Sequence, residues 1–520
     1  MVETAGMQLE RVAAASAAMA ATRSRIAKRE LIAEVLRDGD AAEIEIVVAY
    51  LAGSLRQRRT GIGWRTISKA PTPAVESTLT VAEVDAAFQA TAELSGAGSA
   101  GRRAEVVAEL FGRATAAEQR LLAGLVSGEL RQGALEAQVQ EGLAVAYEVP
   151  LAAVRRAAML SSSTTAAARV LVDGGLAALE RVGLSVGTGI QPMLAASAPD
   201  VAAAAAKSGL PALVDHKLDG IRVQVHKDGD TIRMFTRSLD EITERLPEVS
   251  ATVAALPYRT LVLDGEVLAF QPDGKPESFQ VTASRTGSQL DVAGHSERTP
   301  LRGYFFDLLH LDGRDLLDEP LTERTRIMTE VLPDELIVPR RVCATEAELT
   351  AVFGSAVADG YEGVVVKRLD SPYAAGRRDA AWIKIKPRHT LDLLVIAAEW
   401  GHGRRQGWLS NLHLAARDPR GGEPIMLGKT FKGMTDKLLT WQTERFQELE
   451  TSRDDYTVYL RPETVVEIAF DGLQRSTRYP GGVALRFARV LRYREDKTAD
   501  QADTLDTVLA LGAIKDEPGD

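Results

Sequence analysis

The chain has 520 residues, of which 45% are hydrophobic and 26% charged, with a formal net charge of −10. That length leaves room for three domains with separate cores, and the composition is that of a soluble globular protein, not a disordered one. A single cysteine, Cys343, excludes an internal disulfide framework and any structural zinc cluster built on several thiolates.

Residues 1–184 read as helical. Ala, Leu, Glu and Arg dominate, and apolar residues recur every three or four positions, as in 25–36 and 104–125. The Ala-rich stretch 13–21 is flanked by charges and fits an amphipathic helix better than a leader. No apolar run approaches the roughly 18–20 residues that span a bilayer, so no membrane partner and a cytoplasmic location are expected. Arg56, Arg58, Arg59 and Arg65, interleaved with Gly61 and Gly63, and the stretch 128–133 around Arg131 could offer guanidiniums and backbone amides to phosphates. An ordinary solvated loop is the other reading.

From 185 to 388 short β-branched and aromatic runs alternate with polar positions, at 212–216, 222–226, 231–236, 261–270, 303–309, 363–367 and 382–386. Asp228-Gly229 between two of them is a hairpin signal. This block predicts a mixed α/β domain. Residues 389–500 are again strand-rich, with runs at 391–397, 464–470 and 484–493, and have the length of a small β-barrel. Residues 501–520, acidic and small, are expected to form a flexible tail.

The chemistry centres on Asp215-His216-Lys217-Leu218-Asp219-Gly220-Ile221-Arg222. A strand delivers Lys217, a turn follows at Asp219-Gly220, and a second strand begins near Arg222. Alternation places Asp215 and Lys217 on one side. Arg222 and partial burial are expected to disfavour the ammonium form of Lys217, and a neutral amine is what a lysine nucleophile needs. Taken alone, the tetrapeptide also fits a surface lysine beside a turn.

Further motifs follow in order. Glu266 of Leu263-Asp264-Gly265-Glu266 is a carboxylate on an otherwise apolar strand and should meet a sugar hydroxyl, a metal or a cation. Tyr304 and Phe306 share a strand face, where an aromatic is usually core but can stack on a purine. Glu362-Gly363-Val364-Val365-Val366-Lys367 is an apolar strand bracketed by opposite charges. Trp382-Ile383-Lys384-Ile385-Lys386 puts two isoleucines on one face and two lysines on the other, where an anion such as phosphate would relieve their repulsion. Arg378 lies just upstream, and Arg494-Glu495-Asp496-Lys497 closes the third block.

This ordered set, KLDGIR, FTRS, LDGE, YFFD, EGVVVK, WIKIK and REDK, spans residues 185–497 and closely resembles the ATP-dependent DNA ligases of the covalent nucleotidyltransferase superfamily, in their bacterial stand-alone form. The resemblance implies an all-α DNA-binding domain, an adenylation domain and an oligonucleotide-binding (OB) barrel. It implies ATP as co-substrate, Mg²⁺ or Mn²⁺, and nicked duplex DNA encircled by a monomer in the bacterial nucleoid. Lys217 would carry AMP. Asp215, where the family more often has Glu, would accept from the adenine amino group. Arg222 and Arg237 would hold ribose and phosphate, Glu266 the ribose, and Phe306 would stack on adenine. Glu362, with Glu266, would position the metal. Arg378, Lys384 and Lys386 would clamp the α-phosphate, and Arg494 and Lys497 would orient pyrophosphate. The helical third is expected to serve DNA affinity and to leave adenylation to the rest. Capping guanylyltransferases and RNA ligases share only the core. A four-cysteine NAD-dependent ligase is excluded by the lone cysteine, and the intact motifs speak against a non-catalytic end-binding scaffold.

Overall fold

The computed structural model describes residues 6–511, except 58–59, 97, 131, 133–135, 273, 278, 288–291, 375–377 and 388. The first part is a bundle of helices running from Leu9–Ala21 to Thr164–Glu180. Four of these helices begin where a hydroxyl, of Ser24, Thr80, Thr115 or Ser163, satisfies amides that have no partner inside the helix. Thr80 and Thr115 each close a capping box, with Glu83 and Glu118. The apolar faces meet in one core that includes Leu9, Ile32, Val48, Phe88 and Leu122, all fully buried. Of the basic cluster expected to meet phosphates, Arg56 instead holds Asp85 in two bonds, at 3.1 and 2.5 Å. Arg58, Arg59 and Arg131, and the side chain of Arg65, lie outside the described residues.

The strands are β1 (Leu194–Ser197), β2 (Ala212–Lys217), β3 (Ile221–Asp228), β4 (Thr231–Thr236), β5 (Thr260–Ala269), β6 (Leu301–Leu311), β7 (Arg314–Asp315), β8 (Arg340–Cys343), β9 (Gly363–Arg368), β10 (Arg378–Ile385), β11 (His389–Trp400), β12 (Leu409–Ala416), β13 (Ile425–Thr430), β14 (Glu450–Arg453), β15 (Thr457–Leu460), β16 (Val465–Phe470), β17 (Gly472–Arg475), β18 (Val483–Arg486) and β19 (Arg489–Tyr493). The middle part holds two five-stranded sheets, ordered β1-β10-β9-β2-β8 and β4-β3-β5-β6-β7. β3 and β4 form the hairpin expected at Asp228-Gly229. The chain leaves one sheet at Lys217 and enters the other at Ile221, so the lysine sits where the two sheets meet. Gly220 makes that crossing feasible: a Cβ there would lie 2.4 Å from the carbonyl oxygen of Val267.

The third part is built on β11, which pairs with β12, β15 and β16 around a core of Leu393, Leu412, Leu427, Phe446 and Ile468. The run 484–493 forms two strands instead of one. Phe487, at φ +55°, breaks it, so that β18 pairs with β17 while β19 pairs with β16. Of the tail expected over 501–520, the described residues up to 511 are packed against the third part. Leu505–Ala510 is a helix whose Val508 is fully buried, and Ala502 is packed as well; residues 512–520 lie outside the described residues. No described helix is long and apolar enough to cross a membrane.

Candidate active site

A cavity of about 730 Å³ opens between the two sheets of the middle part and gathers most of the predicted residues. Asp215, Lys217, Arg222, Arg237, Glu266, Phe306 and Lys384 line it. Lys217 lies opposite Gly363 in the β2–β9 ladder, and the backbone N–H of Glu362 donates to the Lys217 carbonyl at 2.9 Å. Gly363, at φ +137°, lets β9 start hard against the end of β10. A Cβ there would be 2.1 Å from the Ile385 carbonyl oxygen. That contact seats the Glu362 carboxylate 2.5 Å from the Lys217 Nζ.

The electrostatics at Lys217 run opposite to the sequence expectation. Burial opposes the ammonium, but Glu362, Glu266 and Asp219 outweigh it and hold Lys217 above the ordinary lysine range. The like charge expected from Arg222 is neutralised. Its guanidinium donates to Asp264 at 3.0 and 2.6 Å and to the Met193 carbonyl at 2.6 Å, and Asp264 also accepts from the Tyr373 hydroxyl at 2.7 Å. Arg222 is therefore a strut between β3, β5 and the segment before β1. Burial pushes Glu266 up to about 7, against the pull of Lys217 and Arg222, and the neighbouring Glu362 and Asp219 add to the rise. Its side chain opens toward the cavity, as a ligand-seeking carboxylate would.

Phe306 also faces the cavity, with Trp382 edge-on to it at 5.7 Å, while Tyr304 packs on Phe270 at 5.4 Å. Asp215 is buried. Its carboxylate accepts from Lys367 at 2.6 Å and from Arg340 at 3.2 Å. Burial pushes the Lys367 ammonium down, with Asp215 pulling the other way. Ile383 and Ile385 are buried in a core, as the alternation of β10 predicts, and leave Lys384 and Lys386 on the other face. Lys386 pairs with Glu362 and lies 3.5 Å from Asp471 of the third part. The backbone of Arg378 pairs opposite Leu194, but its side chain lies outside the described residues.

Arg494 and Lys497 are not brought to the cavity. Both hold Asp392, at 2.8 and 2.5 Å, and Arg494 also holds Asp496. The third part instead sends Arg486 to within 3.5 Å of Asp219. Arg340 and Lys367, which grip Asp215, had no assigned role in the sequence. The one available signal was the charge of Lys367 at the end of an otherwise apolar strand.

Three family models match the chain in order: "DNA ligase N terminus" over residues 67–144, "ATP dependent DNA ligase domain" over 192–386 and "ATP dependent DNA ligase C terminal region" over 405–497. A Beutenbergia cavernae protein called "Probable DNA ligase" is 59% identical over 517 residues, covering 98% of this chain and 100% of that protein. A Streptomyces coelicolor protein of the same name is 54% identical over 507 residues, covering 97% and 99%. A structure solved under the name "Pmar-Lig_PreS3" is 19% identical, covers 93% of this chain and 99% of its own, and superposes with a TM-score of 0.62. At that identity the likeness speaks for the fold alone.

Proposed function

The chain belongs to the ATP-dependent DNA ligase family, and from that premise we propose that Lys217 is the amine that takes AMP from ATP before the nucleotide passes to a nicked DNA end. The observation that carries this reading is the placing of Lys217 in a cavity between two sheets, with an aromatic ring, two carboxylates and Lys384 around it. The nucleophile needs a lone pair, and Lys217 rests as an ammonium. Glu362, at 2.5 Å, is the acceptor within reach of the proton that must leave. The amine then attacks the α-phosphorus; the P–N bond forms as the bond to pyrophosphate breaks. AMP next moves to the 5′-phosphate of the nick, and the 3′-hydroxyl displaces it. Each step is an in-line substitution at phosphorus, so positioning and charge neutralisation supply most of the acceleration.

The remaining roles combine the family resemblance with the cavity lining. Phe306 stacks on the base, Asp215 accepts from its amino group, and Glu266 meets the ribose. Arg237, and Lys384 with Lys386, take phosphate charge, joined by Arg378. Arg222 acts through its hold on Asp264 and Met193. For a divalent cation, Glu266 and Glu362 are a pair facing one amine, and no cluster of three or more acidic, His or Cys ligands occurs among the described residues. That donor set suits Mg²⁺, which takes one or two carboxylates and completes its shell with phosphates and water. When bound there, the ion would supply positive charge for the phosphates and relieve the repulsion between the two carboxylates. The helical and OB domains complete a monomer that encircles nicked DNA.

Two tests bear on this reading. Given a nicked duplex, the protein should seal it with ATP and Mg²⁺ and not with NAD⁺; sealing with NAD⁺ alone would refute the ATP assignment. Arg494 and Lys497 can reach pyrophosphate only if the third domain turns toward the cavity. Arg494→Ala or Lys497→Ala should then slow self-adenylation by on the order of 10²-fold or more, while sealing of a pre-adenylated nick stays near wild type. Equal loss of both reactions would remove the assigned division of labour.

A further inference from the structure

Asp215 and Phe306, the two groups placed against the base, stand on different sheets. Asp215 is on β2 and Phe306 on β6, and no ladder joins those strands. What ties them is the segment leading into β8. Val338 donates its N–H to the Phe305 carbonyl at 3.0 Å, and the His216 N–H donates to the Pro339 carbonyl at 2.8 Å. The next residue is Arg340. Its Nη2 donates both to the Phe306 carbonyl at 3.0 Å and to the Asp215 Oδ2 at 3.2 Å. Its Nε faces the Asp215 Oδ1 at 3.1 Å as an ion pair without hydrogen-bond alignment. Lys367 repeats the same bridge from β9, with its Nζ 2.6 Å from Asp215 and 3.3 Å from the Phe306 carbonyl.

We infer that Arg340 is a positioning residue that fixes the width of the base slot and aims Asp215, acting through those two groups and not on the nucleotide itself; this rests on the ATP-dependent ligase reading above. The division of the carboxylate supports it. Oδ2 is taken by Arg340 and Lys367, while Oδ1 is buried and accepts no hydrogen bond among the described residues. A buried acceptor with an unused lone pair is costly unless a ligand donates to it, and an exocyclic amino group is such a donor. A carboxylate oxygen is an acceptor only, and so is the oxygen of a 6-oxo purine, which such a site therefore opposes.

The experiment measures the rate of label transfer to the full-length protein against the concentration of ATP and, separately, of inosine triphosphate, which carries oxygen in place of the 6-amino group. Wild type should prefer ATP by at least about 10²-fold in the ratio of maximal rate to half-saturating concentration, since a site built for a donor rejects a ligand lacking it. Arg340→Met should raise the half-saturating ATP concentration by about tenfold, change the maximal rate by less than about threefold, and shrink the preference by about tenfold. Arg340→Lys, which keeps the charge but cannot span both groups, should fall between. The preference is a ratio and does not depend on how much of a variant is folded. A preference in Arg340→Met equal to that of wild type, or a fall in maximal rate with half-saturation unmoved, overturns the role given to Arg340. No preference in wild type overturns the role of Asp215 instead, and failure of both nucleotides to label wild type overturns the ligase reading itself.

Discussion

Lys217→Ala protein incubated with Mg²⁺ and α-labelled ATP should take up no label, with self-adenylation down by on the order of 10⁴-fold or more, the scale of losing a covalent nucleophile. Lys217→Arg should be equally inert. It keeps the positive charge opposite Glu362, but a guanidinium does not give up its proton near neutral pH. The pair therefore separates the amine's chemistry from its ion pairs: if charge alone were required, the arginine variant would label. Neither variant needs its lost amine to seal a nick whose 5′-phosphate already carries AMP, so that reaction should persist at a measurable fraction of wild type. Mass spectrometry of the intact protein reads the result directly. Adenylate found on Lys217→Ala protein would move the nucleophile to another residue.

The contrast between what the sequence disclosed here and what it withheld has a physical basis. That Lys217, Glu266, Phe306 and Lys384 face one cavity was legible because strand periodicity is local. A two-residue repeat decides which side chain faces the core, and the burial of Ile383 and Ile385 follows it. The state of Lys217 was not legible, because its partner Glu362 arrives from just before β9, and so the expected depression of its ammonium gave way to a rise. Arg340 reaches Asp215 across 125 residues of sequence, with no motif to announce it. The break at Phe487 was hidden for a related reason: a single left-handed residue ends a strand without altering its hydrophobic pattern. Likewise the motif containing Arg494 and Lys497 could be found in the sequence, but which face of the third domain meets the cavity depends on ion pairs such as Arg486–Asp219 that only the assembled chain reveals.

The helical third should prove to be part of the nucleotide site's foundation, which its expected role as a DNA clamp did not include. Met159 and Leu160, at the end of the helix Leu151–Leu160, are buried in a cluster with Ile190, Met193, Tyr373 and Trp382, and Phe306 and Val365 pack at its edge. The Gln191 N–H donates to the Met159 carbonyl at 3.1 Å, and Arg156 grips Asp318 at 2.6 and 2.8 Å, so the two domains are joined there by polar contacts as well. Met193 in turn holds Arg222 through its carbonyl, and Trp382 lines the cavity. Leu160→Ala should cost about 2–5 kcal/mol of stability, as truncation of a buried leucine does, and relaxation of Met193 and Trp382 into the space should raise the half-saturating ATP concentration for self-adenylation several-fold. Leu122→Ala, equally buried but deep in the helical core, is the control. It should lower the unfolding temperature by a similar amount and leave the response to ATP unchanged. For the same reason a chain starting at residue 185 should label less efficiently than the intact one, since Ile190, Met193 and Trp382 lose their cover. If Leu160→Ala and Leu122→Ala respond identically to ATP, the shared cluster is only a joint between domains and the cavity stands without it.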